Sequence, residues 1–289
     1  MSEFESLLGS CQKRINQKLE VLLPSDDSIL SNAMRYSVLN GGKRLRPILV
    51  YLSSKLGNAD LDSIDILAGS IELIHCYSLI HDDLPSMDDD DLRRGNPTTH
   101  KKYDEATAIL AGDALQPLAF ELLATLKTSD SIKIAIIHNL AKACGYLGMV
   151  GGQIEDIHSE NTKTVEALDK MHSQKTGRLI QSSLETSGIL SGLDPSEIEA
   201  LSRYGEKIGL AFQIQDDIID IESPSSISGK DQGSDLGLDK ITYPSIVGLE
   251  GSRDKAKELA EEAKEILHLS NKNTDNLSKL ADYIIQRET

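Results

Sequence analysis

The chain has 289 residues, a net charge of −16, no tryptophan and 4% aromatic residues. That charge argues against nucleic acid and anionic lipid as general partners, since both carry the same sign. Apolar residues make up 39% of the chain, mostly Leu, Ile and Ala mixed with Glu, Lys and Ser, a composition that suits helices and a sizeable core.

The opening MSEFESLLGS is acidic, without a basic region or a long apolar run, so no signal peptide is expected. No stretch approaches the roughly 20 apolar residues of a membrane span. A period near 3.6 predicts helices over 3–22 and 27–39, separated by Leu23-Pro24-Ser25. Gly41-Gly42 ends the second. Pro47 then suits the first turn of a helix reaching about Lys55. A long apolar helix follows from Asp62 to about Asp83, then helical stretches near 100–127, 130–150, 164–190 and 195–221. Residues 252–287 read as two charged amphipathic helices. Nothing alternates with period two, and there is no Asn-Gly hairpin signal. Ser223–Leu238, SPSSISGKDQGSDLGL, is too rich in Gly, Ser and Asp for a helix and reads as a mobile loop. The simplest architecture is one all-α domain over 1–289. Cys11, Cys76 and Cys144 are widely spaced with no C-x-x-C pair, so a reducing, cytoplasmic compartment is expected, with no disulfides or zinc.

Leu79–Gly95 reads LIHDDLPSMDDDDLRRG. Two carboxylates about 4 Å apart repel by roughly 4 kcal/mol at an effective dielectric near 20, so such crowding needs an offset or full solvation. His75 lies on the same helix side as Asp82. Asp88 is off that face, but Pro85 intervenes, so the helix is expected to loosen and let Asp88 swing back. Asp89, Asp90 and Asp91 read as a solvated charge run. A second acidic stretch, FQIQDDIID, places Gln213, Asp216, Asp217 and Asp220 on one helix face. Leu210, Ile214, Ile218 and Ile221 flank them, as expected for a polar strip in a cavity wall. Two acidic walls with nothing cationic between them would repel, and a divalent metal would resolve that. Oxygen donors without thiolate favour Mg²⁺, which takes one or two carboxylates plus substrate phosphates. No EF-hand pattern is present.

The cations form a second set. GGKRLRP, residues 41–47, brings three positive charges to a helix N-terminus, where the backbone also favours anions. Arg93-Arg94 follows the acidic run, and Lys230 and Lys240 flank the glycine-rich loop. Arg suits bidentate phosphate contact and Lys acts as a point charge. Gly177 within MHSQKTGRLIQSS suggests a kink or close approach that turns Lys175 and Thr176 to a ligand; simple packing explains it equally well. A rival reading uses Glu72-x-x-His75 and Glu155-x-x-His158, the pattern of di-iron bundles. Glu121 would complete one half of that site. No Glu lies between Glu20 and Glu72 to complete the other, so chance is the better account.

GGKRLRP, HDDLPSMDDDDLRRG, GGQIED, KTG, FQIQDDIID and GKDQGSDLGLDK, in that order over nearly the whole chain, resemble the trans-isoprenyl diphosphate synthases. The resemblance is closest to the bacterial farnesyl diphosphate synthases, which share the two extra residues between Asp83 and Asp88. It implies an all-α bundle around a deep central cavity, usually a homodimer, and a prenyltransferase. The reaction would join isopentenyl diphosphate head-to-tail to dimethylallyl and then geranyl diphosphate. By the same resemblance Asp82 and Asp88 bind Mg²⁺ with Asp83 in support, and Asp216, with Asp217 and Asp220, holds the remainder of three ions. Arg93, Lys175 and Lys230 touch the allylic diphosphate. Gly42, Lys43, Arg46, His75 and Arg94 bind isopentenyl diphosphate. Gln213, Thr176 and Lys175 line the reacting carbons, Lys240 and Arg287 are further carry-overs, and Gln153 and Asp156 are supportive. Tyr77 with Ser78 would limit chain length, at farnesyl diphosphate; Tyr77 has a plain core tyrosine as its bland reading. Geranyl or geranylgeranyl diphosphate synthases, a class I terpene cyclase and a silent subunit of a synthase complex are the alternatives.

Overall fold

The computed structural model describes residues 2–158, 164–222, 241–268 and 272–287, and these are overwhelmingly helical. Helix α1 (Glu3–Leu22) starts where Ser2 and Glu5 cap each other reciprocally. Ser28 opens α2 (Ile29–Leu39), and α3 (Leu45–Ser54) carries Pro47 in its first turn. Asp60 caps α4 (Leu61–Asp82), whose side chains are buried on nearly every face, Ile64, Leu67, Ile71 and Ile74 among them. A helix apolar all round must be covered all round. Accordingly α1, α3, α6 (Glu105–Ala124) and α10 (Arg178–Leu190) pack about it.

The remaining helices are α5 (Thr99–Lys102), α7 (Asp130–Cys144), α8 (Met149–Ile157), α9 (Val165–His172), α11 (Pro195–Glu222), α12 (Tyr243–His268) and α13 (Asp275–Gln286). A π-helical segment, Ser173–Gly177, joins α9 to α10. The main apolar cluster draws on α1 to α4, α6, α7, α10, α11, α13 and the end of α12. A smaller one joins α9, α11 and the start of α12.

Four local features depart from the sequence reading. The helix expected over 100–127 is two helices, because Asp104 accepts from the Thr107 amide at 2.7 Å and caps α6. The stretch expected as one helix over 130–150 breaks after Cys144. There the chain folds back so tightly that a Cβ on Gly148 would lie 2.0 Å from the Ala143 carbonyl. Helix α12 begins at Tyr243, earlier than expected, and kinks at Gly248, where φ is 77°. Finally, Leu92–Arg93 (β1) and Asn96–Pro97 (β2) form a small antiparallel hairpin. Its tip, Arg94-Gly95, has φ of 55° and 76°, the left-handed conformation that a two-residue hairpin loop requires.

Among the described residues three stretches, Leu61–Asp82, Glu105–Ala124 and Asp130–Ile157 (the last with the break after Cys144 inside it), are long and apolar enough to cross a membrane by length and composition, which corrects the expectation that none approaches it. The first is 78% buried inside the fold, and the other two are only 33% buried. Ile109, Leu110, Ile134, Tyr146, Leu147 and Ile154 are exposed on them.

Candidate active site

At the end of α4 the helix loosens as Pro85 requires. The Asp88 amide donates to the Asp82 carbonyl at 2.9 Å, and Asp89 turns with φ of 50°. Asp88 therefore returns to Asp82 through the backbone. Burial, with Asp88 and Asp83 nearby, pushes the Asp82 carboxyl up to about 6 against the pull of Lys175 and Arg93. Asp83 is buried and accepts from Arg93 Nε at 2.7 Å, with Nη2 also in contact. Arg93 reaches Asp90 as well, at 3.2 Å. Asp90, with 13% of its side chain exposed, is thus no part of a solvated run, whereas Asp89 and Asp91 stand at the surface beside Lys101.

The opposing acidic strip lies on α11. Asp216 is partly exposed and pairs with Arg287 at 2.7 Å and Lys43 at 3.5 Å. Asp217 is buried, accepting from Gln213 Nε2 at 3.2 Å and from the Tyr243 amide at 3.0 Å. Asp220 is partly buried one turn further on. The segment between the two strips is the π-helical one. Thr176 donates to Gln213 Oε1 at 2.8 Å, while Lys175 pairs with Asp156 at 2.6 Å and also acts on Asp82. Two glycines permit this approach. A Cβ on Gly152 would lie 2.2 Å from the Lys175 amide nitrogen, and one on Gly209 would lie 2.8 Å from Gly177 Cα. The π-helical segment therefore touches both strips, through Lys175 toward Asp82 and Thr176 toward Gln213, while Asp216 has its own cations in Arg287 and Lys43.

A basic pocket adjoins. Gly42 has φ of 123°, and a Cβ there would strike the Arg94 guanidinium carbon at 2.5 Å. Arg94 donates to the Gly41 carbonyl. Arg46 is buried, and its Nε has no hydrogen-bond partner among the described residues. Burial first, then Arg46 and Arg94, hold His75 well below the usual imidazole range, so it is neutral. Lys43 and Arg287 lie over the Phe212 ring, at 5.7 and 4.0 Å from its centroid. A buried guanidinium with an unsatisfied N–H favours an arriving anion.

A family model for polyprenyl synthetase matches residues 27–284. The chain belongs to the polyprenyl synthetase family. It is 46% identical over 297 residues to the farnesyl diphosphate synthase of Escherichia coli (strain K12), covering 99% of both chains. Among solved structures it resembles an FPP/GFPP synthase from Zymomonas mobilis in its apo form, with a TM-score of 0.87, 38% identity, and coverage of 97% of this chain and 98% of that one. It also resembles a geranyltransferase from Helicobacter pylori complexed with magnesium and isoprenyl diphosphate, with a TM-score of 0.86, 35% identity, and coverage of 99% and 97%.

In this polyprenyl synthetase one cation of GGKRLRP has a different place from the one its pattern suggested. Arg44, with φ of 52°, turns inward and donates to Glu72 at 2.7 Å, to the Val38 carbonyl at 2.6 Å and to Asn16 at 3.0 Å. Glu72 is thereby committed, and Glu155 pairs with Lys170 at 2.6 Å, so neither Glu-x-x-His motif builds a di-iron half-site. No group of three or more acidic, imidazole or thiol side chains among the described residues converges tightly enough to hold an ion unaided. The donors at Asp82, Asp83, Asp88, Asp216, Asp217 and Asp220 are all carboxylate oxygens, the donor type that suits Mg²⁺. Tyr77 is buried against His81, while Ser78 turns its hydroxyl back to the His75 carbonyl at 2.9 Å. Lys230, Lys240 and the Ser223–Leu238 loop lie outside the described residues. All three cysteines are free and buried.

The motif reading missed His172 and Tyr243. Burial depresses His172 to about 4, and its ring stacks on Tyr243 at 6.2 Å, close to Asp156, Lys175 and Asp216. The spacing of His172 three residues before Lys175 was the available signal; Tyr243, brought in from the far side of the loop, offered none.

Proposed function

We propose that the protein condenses isopentenyl diphosphate with dimethylallyl and then geranyl diphosphate, head-to-tail, releasing farnesyl diphosphate. One observation supports this reading: two differently built charged groups adjoin, Asp82 with Asp83, Asp88 and Lys175 in one, Arg46, Arg94 and His75 in the other, with Arg93 acting on both. The acidic site suits an allylic diphosphate that arrives with magnesium; the Helicobacter pylori geranyltransferase is complexed with magnesium and isoprenyl diphosphate. Asp82, Asp88 and Asp216 would hold Mg²⁺, three ions in all, with Asp83, Asp217 and Asp220 behind them. When bound, that metal neutralises charge developing on the departing diphosphate.

Arg93, Lys175 and Lys230 add fixed positive charge at the same leaving group. The Thr176–Gln213 pair presents its dipoles to the allylic carbons as the cation forms. Gly42, Lys43, Arg46, His75 and Arg94 clamp isopentenyl diphosphate so that its double bond lies within reach of the cation. Lys240 and Arg287 add further positive charge for the two anions. Proton loss from the new carbon chain goes to the released diphosphate. Tyr77, with Ser78 beside it, forms the floor that stops growth at farnesyl length.

The unit is a single domain, 1–289, that works as a homodimer. The half-exposed apolar faces of α6, α7 and α8 support the pairing. Three unpaired cysteines suit the cytoplasm. The test is direct: incubate the purified protein with Mg²⁺, isopentenyl diphosphate and dimethylallyl diphosphate, and identify products by mass. Farnesyl diphosphate that disappears with EDTA is expected; no condensed product, or one indifferent to EDTA, overturns the reading.

A further inference from the structure

Gly112 lies inside α6. Its φ is not positive, so no turn requires a glycine there, and glycine in a helix interior costs about 1 kcal/mol against alanine. The reason is steric. A Cβ at this position would lie 2.2 Å from His81 Nε2 and 2.6 Å from Cδ2. The imidazole is laid directly on the α6 backbone, in space that any side chain would fill.

Two further contacts fix the ring. Its Nε2–H donates to the Ile109 carbonyl at 3.1 Å, one turn before Gly112. Its other flank meets Tyr77 edge-to-face, with centroids 5.8 Å apart and planes at 75°. Tyr77 is one turn before His81 on α4 and is buried. Among the described residues its hydroxyl has no hydrogen-bond partner, so packing alone sets where the ring stops. An edge-to-face ring pair contributes about 0.5–1.5 kcal/mol beyond area burial, enough to select one orientation.

We propose that His81, seated on Gly112 and tied to Ile109, is a positioning residue that holds Tyr77 at the depth where chain growth stops. The proposal rests on the reading of Tyr77 as the floor. It makes product length a property of three residues on two helices. The floor ring is Tyr77, the brace is His81, and Gly112 is the seat without which the brace cannot lie flat.

The experiment measures the ratio of geranylgeranyl to farnesyl diphosphate formed from isopentenyl and geranyl diphosphates. A ratio is unaffected by the amount of folded enzyme, so lost stability alone does not move it. Tyr77→Ala is expected to raise it about tenfold, the scale on which a reshaped apolar pocket discriminates. His81→Ala should raise it comparably, and Tyr77→Ala/His81→Ala should exceed neither single variant by more than about twofold. Gly112→Ala should change the ratio in the wild-type background but not in His81→Ala, where the new methyl meets no ring. If Tyr77→Ala lengthens products while His81→Ala and Gly112→Ala keep the wild-type ratio, the brace is refuted and the floor stands. If Tyr77→Ala has no effect, the floor fails, and His81 has nothing to position. Should His81→Ala not fold, Gly112→Ala against Gly112→Ala/Tyr77→Ala carries the same comparison.

Discussion

Asp82→Asn should stabilise the metal-free protein while destroying its Mg²⁺ response. The Asp82 carboxyl rises from 3.8 to about 6, chiefly through burial. At about 1.4 kcal/mol per tenfold change in proton affinity, that corresponds to about 3 kcal/mol. Between about pH 4 and 6 the folded chain keeps a proton that the unfolded chain has already released. Stability therefore falls as pH rises through this window and stays reduced above it. An asparagine cannot ionise and escapes the loss. In EDTA near neutral pH, the variant should melt several degrees higher than wild type, at about 2–4 °C per kcal/mol for a chain approaching this size. Below about pH 4 the gap should close. With Mg²⁺ and inorganic diphosphate the order should reverse, because only wild type has the carboxylate to bind. Differential scanning calorimetry across pH reads all three. A variant that melts below wild type in EDTA at neutral pH, or a gap that persists unchanged at pH 4, would show that burial of this charge is not what raises its affinity for a proton.

Arg44→Met should destabilise the fold by about 3–5 kcal/mol, because it strands buried Glu72, whose pairing partner is fully enclosed; urea unfolding checks this, and a loss under about 1 kcal/mol would contradict it. Lys175→Met should lower kcat about a hundredfold by removing positive charge at the leaving group, and steady-state rates within twofold of wild type would argue against that role. Gly209→Ala should cost about 1–3 kcal/mol and reduce turnover, since its methyl would press on Gly177 Cα at 2.8 Å; a thermal melt matching wild type would mean the helices separate freely there.

Much of the architecture was legible because its signals are local. The 3.6-residue period marked the helices, Leu23-Pro24-Ser25 and Gly41-Gly42 marked the breaks between the first of them, and Pro85 announces the loosening that returns Asp88 to Asp82. The hairpin escaped because its tip is Arg94-Gly95 without asparagine, and its left-handed Arg94 is supported by a carbonyl from the distant Gly41. The division of GGKRLRP into a paired Arg44 and an Arg46 whose buried Nε is left without a partner escaped for a related reason. Spacing gives both residues the same address at a helix start. Only Glu72, 28 residues from Arg44, decides which one is paired. The cations beside the acidic strips were recognisable one by one, but the placement of Lys175 depends on close helix contacts at Gly152 and Gly209, which no periodicity encodes.

The π-helical turn at Ser173–Gly177 carries one residue more than an α-helix would use for the same advance. Losing one of those residues would let the chain rewind into an ordinary helix that keeps α9 and α10 in line but turns the side chains within the segment by about 100°. The aim of Lys175 and Thr176 is therefore stored in a surplus position, and a one-codon deletion that removed no ligand would still disarm the enzyme.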